Sequence, residues 1–276
     1  MKQRVLIAVK TYPVLSQKYI ELVCTAGFRE DGSWIRIYPS PFRFLSNDQK
    51  YKKYQWIALD LRKNLKDSRP ESYSPINIDD IDLGKVVPAG GDWEERRSLI
   101  LDRNVVHTNL ATIKKAAREN EYSLAIFKPT KILDFIAEPA AEPTWKASKE
   151  AIAKEALGQG SLFEEKDQSN YQLVKKLPFK FSYRFEDDEG QRSTLMIEDW
   201  EIGQLYWNCL KNSDPETAIK KVKQKYLDDF AQTKDLHLFL GTTYQWHVRK
   251  APNPYVIIGT FHPSHPRAIK QLPLFS

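Results

Sequence analysis

Trp34, Arg36 and Tyr38 alternate along one short segment, so on an extended strand their side chains stand on one face and Ile35 and Ile37 on the other. Two rings flanking a guanidinium suit a nucleic acid. The guanidinium pairs with phosphate, and each base stacked on a ring contributes ~1–3 kcal/mol. Lys10, Tyr12, Arg29, Phe42 and Arg43 extend this basic and aromatic set. The competing arrangement puts Trp34 and Tyr38 in the core and pairs Arg36 with a carboxylate. A second group of residues is acidic: Glu21, Asp60 with Leu61-Arg62-Lys63 behind it, and Glu198, Asp199 and Glu201. A metal-dependent nuclease needs two or three carboxylates around a divalent ion such as Mg2+, often with a lysine beside them. Glu21, Asp60 and Lys63 are the candidates for that chemistry. Asp199 fits better as a helix cap, and Glu198 and Glu201 as solvated side chains. His262 and His265 are too few for a zinc site, so no resident metal is assigned. His247 lies in Gly241–His247, a loop rich in hydrogen-bonding groups. Behind Trp246 it is placed to contact a base or move a proton, or simply to be a satisfied loop histidine.

Several chemistries lack their signatures. There is no GxxxxGK[ST] loop, no GxGxxG behind a strand, no GxSxG, no HExxH and no CxxC. The 2 cysteines, Cys24 and Cys209, offer neither a disulfide framework nor a metal-ligand spacing. Both fall in apolar periodic segments and read as core. The apolar run Val5–Val9 is too short for a signal peptide, and no stretch reaches the ~18 apolar residues of a membrane span. The expectation is a soluble cytoplasmic protein without a membrane partner. Net charge is +6 and uneven: residues 1–69 hold 14 Lys and Arg against 6 Asp and Glu, leaving the remainder slightly acidic. A basic amino-terminal region on a near-neutral body suits a phosphate-bearing partner.

The elements that must position these residues follow from periodicity. Residues 4–9, 19–28, 34–38 and 55–62 read as strands, with Asp31-Gly32 turning a hairpin between the second and third. Residues 66–92 read as irregular. Helices are expected from Asp92 to about residue 103, over 107–119 and over 144–157, with short strands at 124–127 and 132–136. Phe179, Phe181, Tyr183 and Phe185 alternate with polar residues as a half-buried strand that returns over 193–197. Asp199 and Asp214-Pro215 start two helices, and the second carries Lys220, Lys221, Lys223 and Lys225 on its outer face. Strands at 236–240 and 255–261 complete the set. The fold class is α+β. A basic, mostly antiparallel β subdomain with helices (1–140), whose strands could form a small barrel, is joined by a helix and linker (141–172) to a sheet packed with two helices (173–266). A tail follows (267–276).

That tail carries a resemblance. Gln271-Leu272-Pro273-Leu274-Phe275-Ser276 resembles the short peptide by which bacterial replication and repair proteins dock on the DNA sliding clamp. The resemblance covers six residues and implies a partner rather than a fold. Gln271 would hydrogen-bond while Leu272, Leu274 and Phe275 fill an apolar groove, and Pro273 lowers the ordering cost of an extended peptide. Gln159–Phe163 is a partial match without the first leucine. With the basic region, the resemblance implies a nucleoid-associated protein recruited to the clamp and binding DNA through Lys10, Arg29, Trp34, Arg36, Tyr38 and Arg43. Repair, replication control or defence against foreign DNA would be its setting. The alternatives are a metal-dependent nuclease on DNA, the one enzymatic reading with named residues, and a clamp-binding regulator that makes no DNA contact. An enzyme on a small molecule would place its pocket at the Gly241–His247 loop.

Overall fold

The structure, a computed structural model, describes residues 1–16, 19–158 and 172–265. The first sheet contains β1 (Gln3–Lys10), β2 (Val14–Ser16), β3 (Ile20–Arg29), β4 (Trp34–Ser40), β5 (Gln55–Leu59), β6 (Leu61–Lys63), β7 (Ser72–Pro75) and β8 (Asp82–Val86). Its order is β6-β7-β4-β3-β1-β5-β8, with β2 added beside β3. The β3–β4 hairpin is the expected one. Gly32 takes φ +87° and Asp31 Oδ1 accepts the Ser33 N–H at 2.9 Å, which closes the turn.

One residue forces the shape of this sheet. The expected single strand over 55–62 breaks at Asp60, and the halves join opposite ends of the sheet: β5 pairs with β1 and β8, β6 with β7. A one-residue connection cannot span a flat sheet of that width, so the sheet curls into a half-barrel. Val5, Ile7, Val23, Ile35, Ile37, Ile57 and Leu59 fill the inside of the curl with Phe42, Leu45 and Tyr51. β7 and β8 lie in the stretch expected to be irregular. Both are short and have no apolar run, and β8 is exposed along its whole length.

The remainder comprises α1 (Gly90–Ile100), β9 (Val106–His107), α2 (Leu110–Arg118), β10 (Leu124–Phe127), β11 (Lys131–Pro139), α3 (Ala147–Gly158), β12 (Phe179–Glu186), β13 (Arg192–Met196), α4 (Trp200–Leu210), α5 (Pro215–Lys223), a π-helical continuation over Gln224–Ala231, β14 (His237–Thr242), α6 (Tyr244–Val248) and β15 (Tyr255–Phe261). Asp199 and Asp214 cap α4 and α5 as expected, accepting the Glu201 and Thr217 N–H groups. Asp92 does not cap α1. Residues 91–93 take left-handed φ values inside the helical stretch, and this turns Trp93 onto Tyr54 and Phe261.

A four-stranded sheet, β15-β14-β10-β9, forms the middle layer. One face (Phe127, Leu238, Leu240, Tyr255, Ile257) packs on the three-stranded sheet β11-β12-β13 and on α4 and α5. The other face (Leu124, Ile126, Phe239, Ile258, Phe261) packs on Leu6, Ala8, Ala26 and Phe28 from the outside of the half-barrel. This is the expected α+β class, with the two sheet systems sharing a wall. β10 and β11, from the first 140 residues, pair with β14 and β12.

Where β1 meets β3 the strands approach so closely that a Cβ on Gly27 would fall on the Leu6 carbonyl oxygen. Gly27→Ala should therefore lower stability by ~1–3 kcal/mol in chemical denaturation. Gly90→Ala, which meets nothing within 4 Å, should stay within ~0.5 kcal/mol of wild type. Equal effects would contradict this packing.

Just beyond β15, His262 stacks on Phe230 with centroids 3.6 Å apart, and burial, with Lys53 nearby, pushes its pKa down to about 4. Burial likewise lowers His107, His237 and His247. Each is neutral in the fold and takes up a proton near pH 6.5 on unfolding. The contribution of His262 to stability is complete above pH 7, falls as pH drops below 6.5 and keeps falling to about pH 4, while buried Asp199, whose pKa burial raises, changes stability in the opposite sense. The difference between thermal melts of wild type and His262→Phe across that range should show this decline, the variant's slope being the less steep. A slope unchanged in His262→Phe would exclude the assignment of this limb to His262.

Candidate functional site

The residues expected to form a basic-aromatic surface do not share one. Arg36 is 2% exposed; its Nη1 donates to Ser72 Oγ at 3.2 Å and Ser123 Oγ at 2.8 Å. Trp34 packs on Phe28 and Phe239 at the seam. Lys10 turns inward over the Phe42 ring at 4.1 Å, and burial lowers its pKa to about 8. Arg29 lies over Tyr73 and donates to the Trp34 carbonyl. Arg43 clasps both oxygens of Glu21, at 2.7 and 2.6 Å. Tyr38 and Tyr12 keep half-exposed positions at an opening.

The three acid and lysine candidates are likewise dispersed. Glu21 is buried, held by Arg43 and by the Val174 N–H, and burial raises its pKa against the pull of Arg43. Asp60 faces the Met1 amino group at 3.2 Å. Lys63 donates to the Arg69 and Pro70 carbonyls over the Tyr73 ring. Among the described residues no group of three or more His, Cys, Asp or Glu side chains is arranged to hold a metal. Gln271, Leu272, Leu274 and Phe275, like Gln159–Phe163, lie outside the described residues.

What the structure does assemble is a pocket of about 480 Å³ where the half-barrel meets the middle sheet. Leu22, Cys24, Val256 and Ile258 give it apolar walls, and Tyr12, Tyr38 and Tyr244 stand around it. Its floor is cationic. The Arg36 guanidinium has no carboxylate within 4 Å among the described residues; Glu71 reaches it only through the Ser123 hydroxyl. Beside it Arg69 is fixed by Asp67, which accepts at 2.6 Å, and donates to the Thr242 carbonyl at 2.6 Å. This bond ties the 64–69 turn to the loop before α6. Glu198 lines the same space, with its pKa raised by burial. The Thr243 hydroxyl, also on the lining, is buried without a partner among the described residues. Thr242 Oγ1, His247 Nδ1 and, through Nε2, Asn120 Oδ1 form a chain of 3.2 and 2.8 Å. Burial, then Arg69 and Arg36, lower the His247 pKa, so the ring is neutral. Thr242 and His247 are both buried, and the chain fastens the loop rather than presenting a nucleophile.

The pocket mouth has an aromatic and basic rim. Tyr244 (47% exposed), Trp246 (52%) and Val248 project from α6, followed by exposed Arg249 and Lys250. The facing turn brings exposed Leu65 and Lys66, whose carbonyl accepts from Tyr244 Oη at 3.3 Å. The Gly241–His247 stretch, expected as a loop, is the end of β14 followed by α6, with Thr243 between them, though its hydrogen-bonding groups do line the pocket and fasten its wall. The meeting of Lys66 and Arg69 with it was not legible, because some 170 residues separate them.

Residues 105–276 match the family model described as Domain of unknown function (DUF8757). The chain belongs to the DUF8757 family. Residues 1–102 match a second model, Domain of unknown function (DUF8758). No curated protein and no solved structure matches the chain. The pocket draws Tyr12, Cys24, Arg36, Tyr38 and Arg69 from the DUF8758 part and Glu198, Thr242, Thr243, Tyr244 and Ile258 from the DUF8757 part. Clefts between two such units are frequent ligand sites.

Asp67 and Arg69 are both nearly fully buried, so deleting one partner strands the other charge. Asp67→Ala should cost about 3–5 kcal/mol by urea denaturation. The double variant Asp67→Leu, Arg69→Met should lose less than Asp67→Ala alone; additive losses would show that the pair does not act as a unit.

Proposed function

We propose that this protein is a DNA-associated factor, recruited to the sliding clamp through Gln271–Phe275 and contacting nucleic acid through the rim of the seam pocket. The observation that carries the DNA contact is that rim. Tyr244 and Trp246 are large exposed rings in a protein that buries most of its aromatics; Tyr244 bonds to the Lys66 carbonyl, and exposed Arg249 and Lys250 follow in the chain. Exposed rings among cations suit stacked bases and phosphates. The β4 face is taken up by packing, so the contact falls to α6 and the 64–69 turn. The clamp contact rests on the peptide resemblance alone. Tethering a weak DNA binder to a clamp already on DNA replaces a search in solution by a high local concentration. The spread of Glu21, Asp60 and Lys63 over three unrelated sets of partners gives the nuclease reading no support.

The test uses purified full-length protein, sliding clamp and single- and double-stranded oligonucleotides. Removal of 271–276 should abolish clamp binding and leave binding to free DNA unchanged. Trp246→Ala should weaken DNA binding by ~1–3 kcal/mol, and each of Lys66→Glu, Arg249→Glu and Lys250→Glu should reduce the salt slope by about 1. Clamp binding by a protein that binds no oligonucleotide would leave a clamp-binding regulator without DNA contact, and rim variants that bind DNA like wild type would remove the rim from the proposal. Clamp binding that survives the truncation would remove the peptide from the proposal.

A further inference from the structure

We propose that the seam pocket accepts a single nucleotide with its base inward, either a free mononucleotide or one nucleotide turned out of a strand lying on the rim. The size of the cavity limits the choice. About 480 Å³ lies in the lower part of the ~300–1,000 Å³ range of ligand pockets and leaves room for one nucleotide but not for a duplex. The lining divides by chemistry in the way a nucleotide does. Leu22, Val256 and Ile258 are apolar, and Tyr12 and Tyr38 add ring surface, which suits a base. Polar atoms converge at the bottom. Arg36 keeps its charge in a buried site with only hydroxyl partners for Nη1. A guanidinium in that setting is stabilised by a planar acceptor edge or an anion.

The Thr243 hydroxyl and the Glu198 carboxyl add two further hydrogen-bonding groups, the first without a partner among the described residues and the second held toward its neutral form by burial. With Arg36 they offer donors and acceptors to the edge of a base. Lys66 stands at the mouth, where the phosphate of a base-inward nucleotide emerges. Trp246 is exposed on α6, two residues beyond Tyr244 of the lining, and can stack on a neighbouring base. An enzyme or reader that must reach a base inside a strand turns it outward in this manner, at least cost from single-stranded or mismatched DNA. The strand-embedded source rests on the proposed DNA contact; the free mononucleotide does not.

Cys24 lines the pocket and reports its occupancy. In full-length protein carrying Cys209→Ser, the rate of Cys24 alkylation by N-ethylmaleimide is measured alone, with each of the deoxy- and ribonucleoside monophosphates, and with single-stranded oligonucleotides. Calorimetry of the same titrations gives a second readout should the thiol react slowly. Nucleotides should protect Cys24 and bind saturably. Tyr38→Ala and Thr243→Val should each weaken binding several-fold, with thermal melts close to wild type. Protection by oligonucleotides at lower concentration than by monophosphates identifies the strand as the source. Protection by monophosphates alone identifies the free nucleotide. If neither protects nor gives heat, the proposal is overturned. Oligonucleotide binding read by the anisotropy of a labelled oligonucleotide and clamp binding of the same preparation tell whether the DNA reading survives that failure. Inorganic phosphate protecting as well as any nucleotide would also overturn the proposal, reducing the pocket to an anion site.

Discussion

The middle sheet has no polar face. Phe127, Leu238, Leu240 and Ile257 point one way and Leu124, Ile126, Phe239 and Ile258 the other, and both sets are buried. A sheet of this kind is stable only when both faces are covered. The half-barrel covers one and the helical layer the other, so neither flanking layer can be removed without exposing a whole apolar wall. The fold is built on that constraint. It explains why the seam tolerates no slack: a Cβ at Gly259 would press on Phe239 and on Val9 across it.

A seam of that sort must still pass charged groups where the layers diverge. At one edge Lys53 donates to Glu201 at 2.6 Å and to the Thr260 carbonyl at 3.2 Å, with Asp199 beside them. Burial raises the Asp199 pKa to about 7 even as the carboxylate caps α4. At another edge the layers do not close, and the gap is the pocket. Its floor consists of the charges the seam could not expel, Arg36 and Arg69, each fixed by hydroxyls, a carboxylate or a carbonyl. A single geometric mismatch between a curled sheet and a flatter one thus yields both the cavity and the cations inside it.

The regular elements were legible in the sequence where the local pattern and the tertiary demand agreed. The Asp31-Gly32 hairpin, the caps Asp199 and Asp214 and the alternating run from Phe179 all lie where residue chemistry places them. Failures came where tertiary pairing overrode local pattern. β7 and β8 have no apolar signature: β8 is an exposed edge strand, and β7 is a four-residue strand held between β4 and β6 by backbone pairing. The break at Asp60 lies in an unbroken strand-like stretch, and only the pairing of Leu61–Lys63 with β7 reveals it. The alternation of Trp34, Arg36 and Tyr38 was read correctly as one face of a strand. The sequence could not tell that this face turns toward a second sheet rather than toward solvent.

Arg36 shows what that difference means for function. On a surface, an arginine flanked by rings contributes a screened phosphate contact and little discrimination. At the bottom of a pocket the same group sits in a medium where an unmatched acceptor pattern is costly, so it discriminates between ligands by shape and by the positions of their lone pairs. Ser72 and Ser123 hold one side of the guanidinium in a fixed orientation, and Glu71 fixes Ser123 in turn through both its hydroxyl and its backbone N–H. The orientation of Arg36 is therefore set before any ligand arrives, which reduces the ordering cost of binding. The exposed cations of the rim have no such scaffolding and suit contacts that must form and break along a backbone. Selectivity in this protein thus belongs to the buried charge, and attraction to the exposed ones.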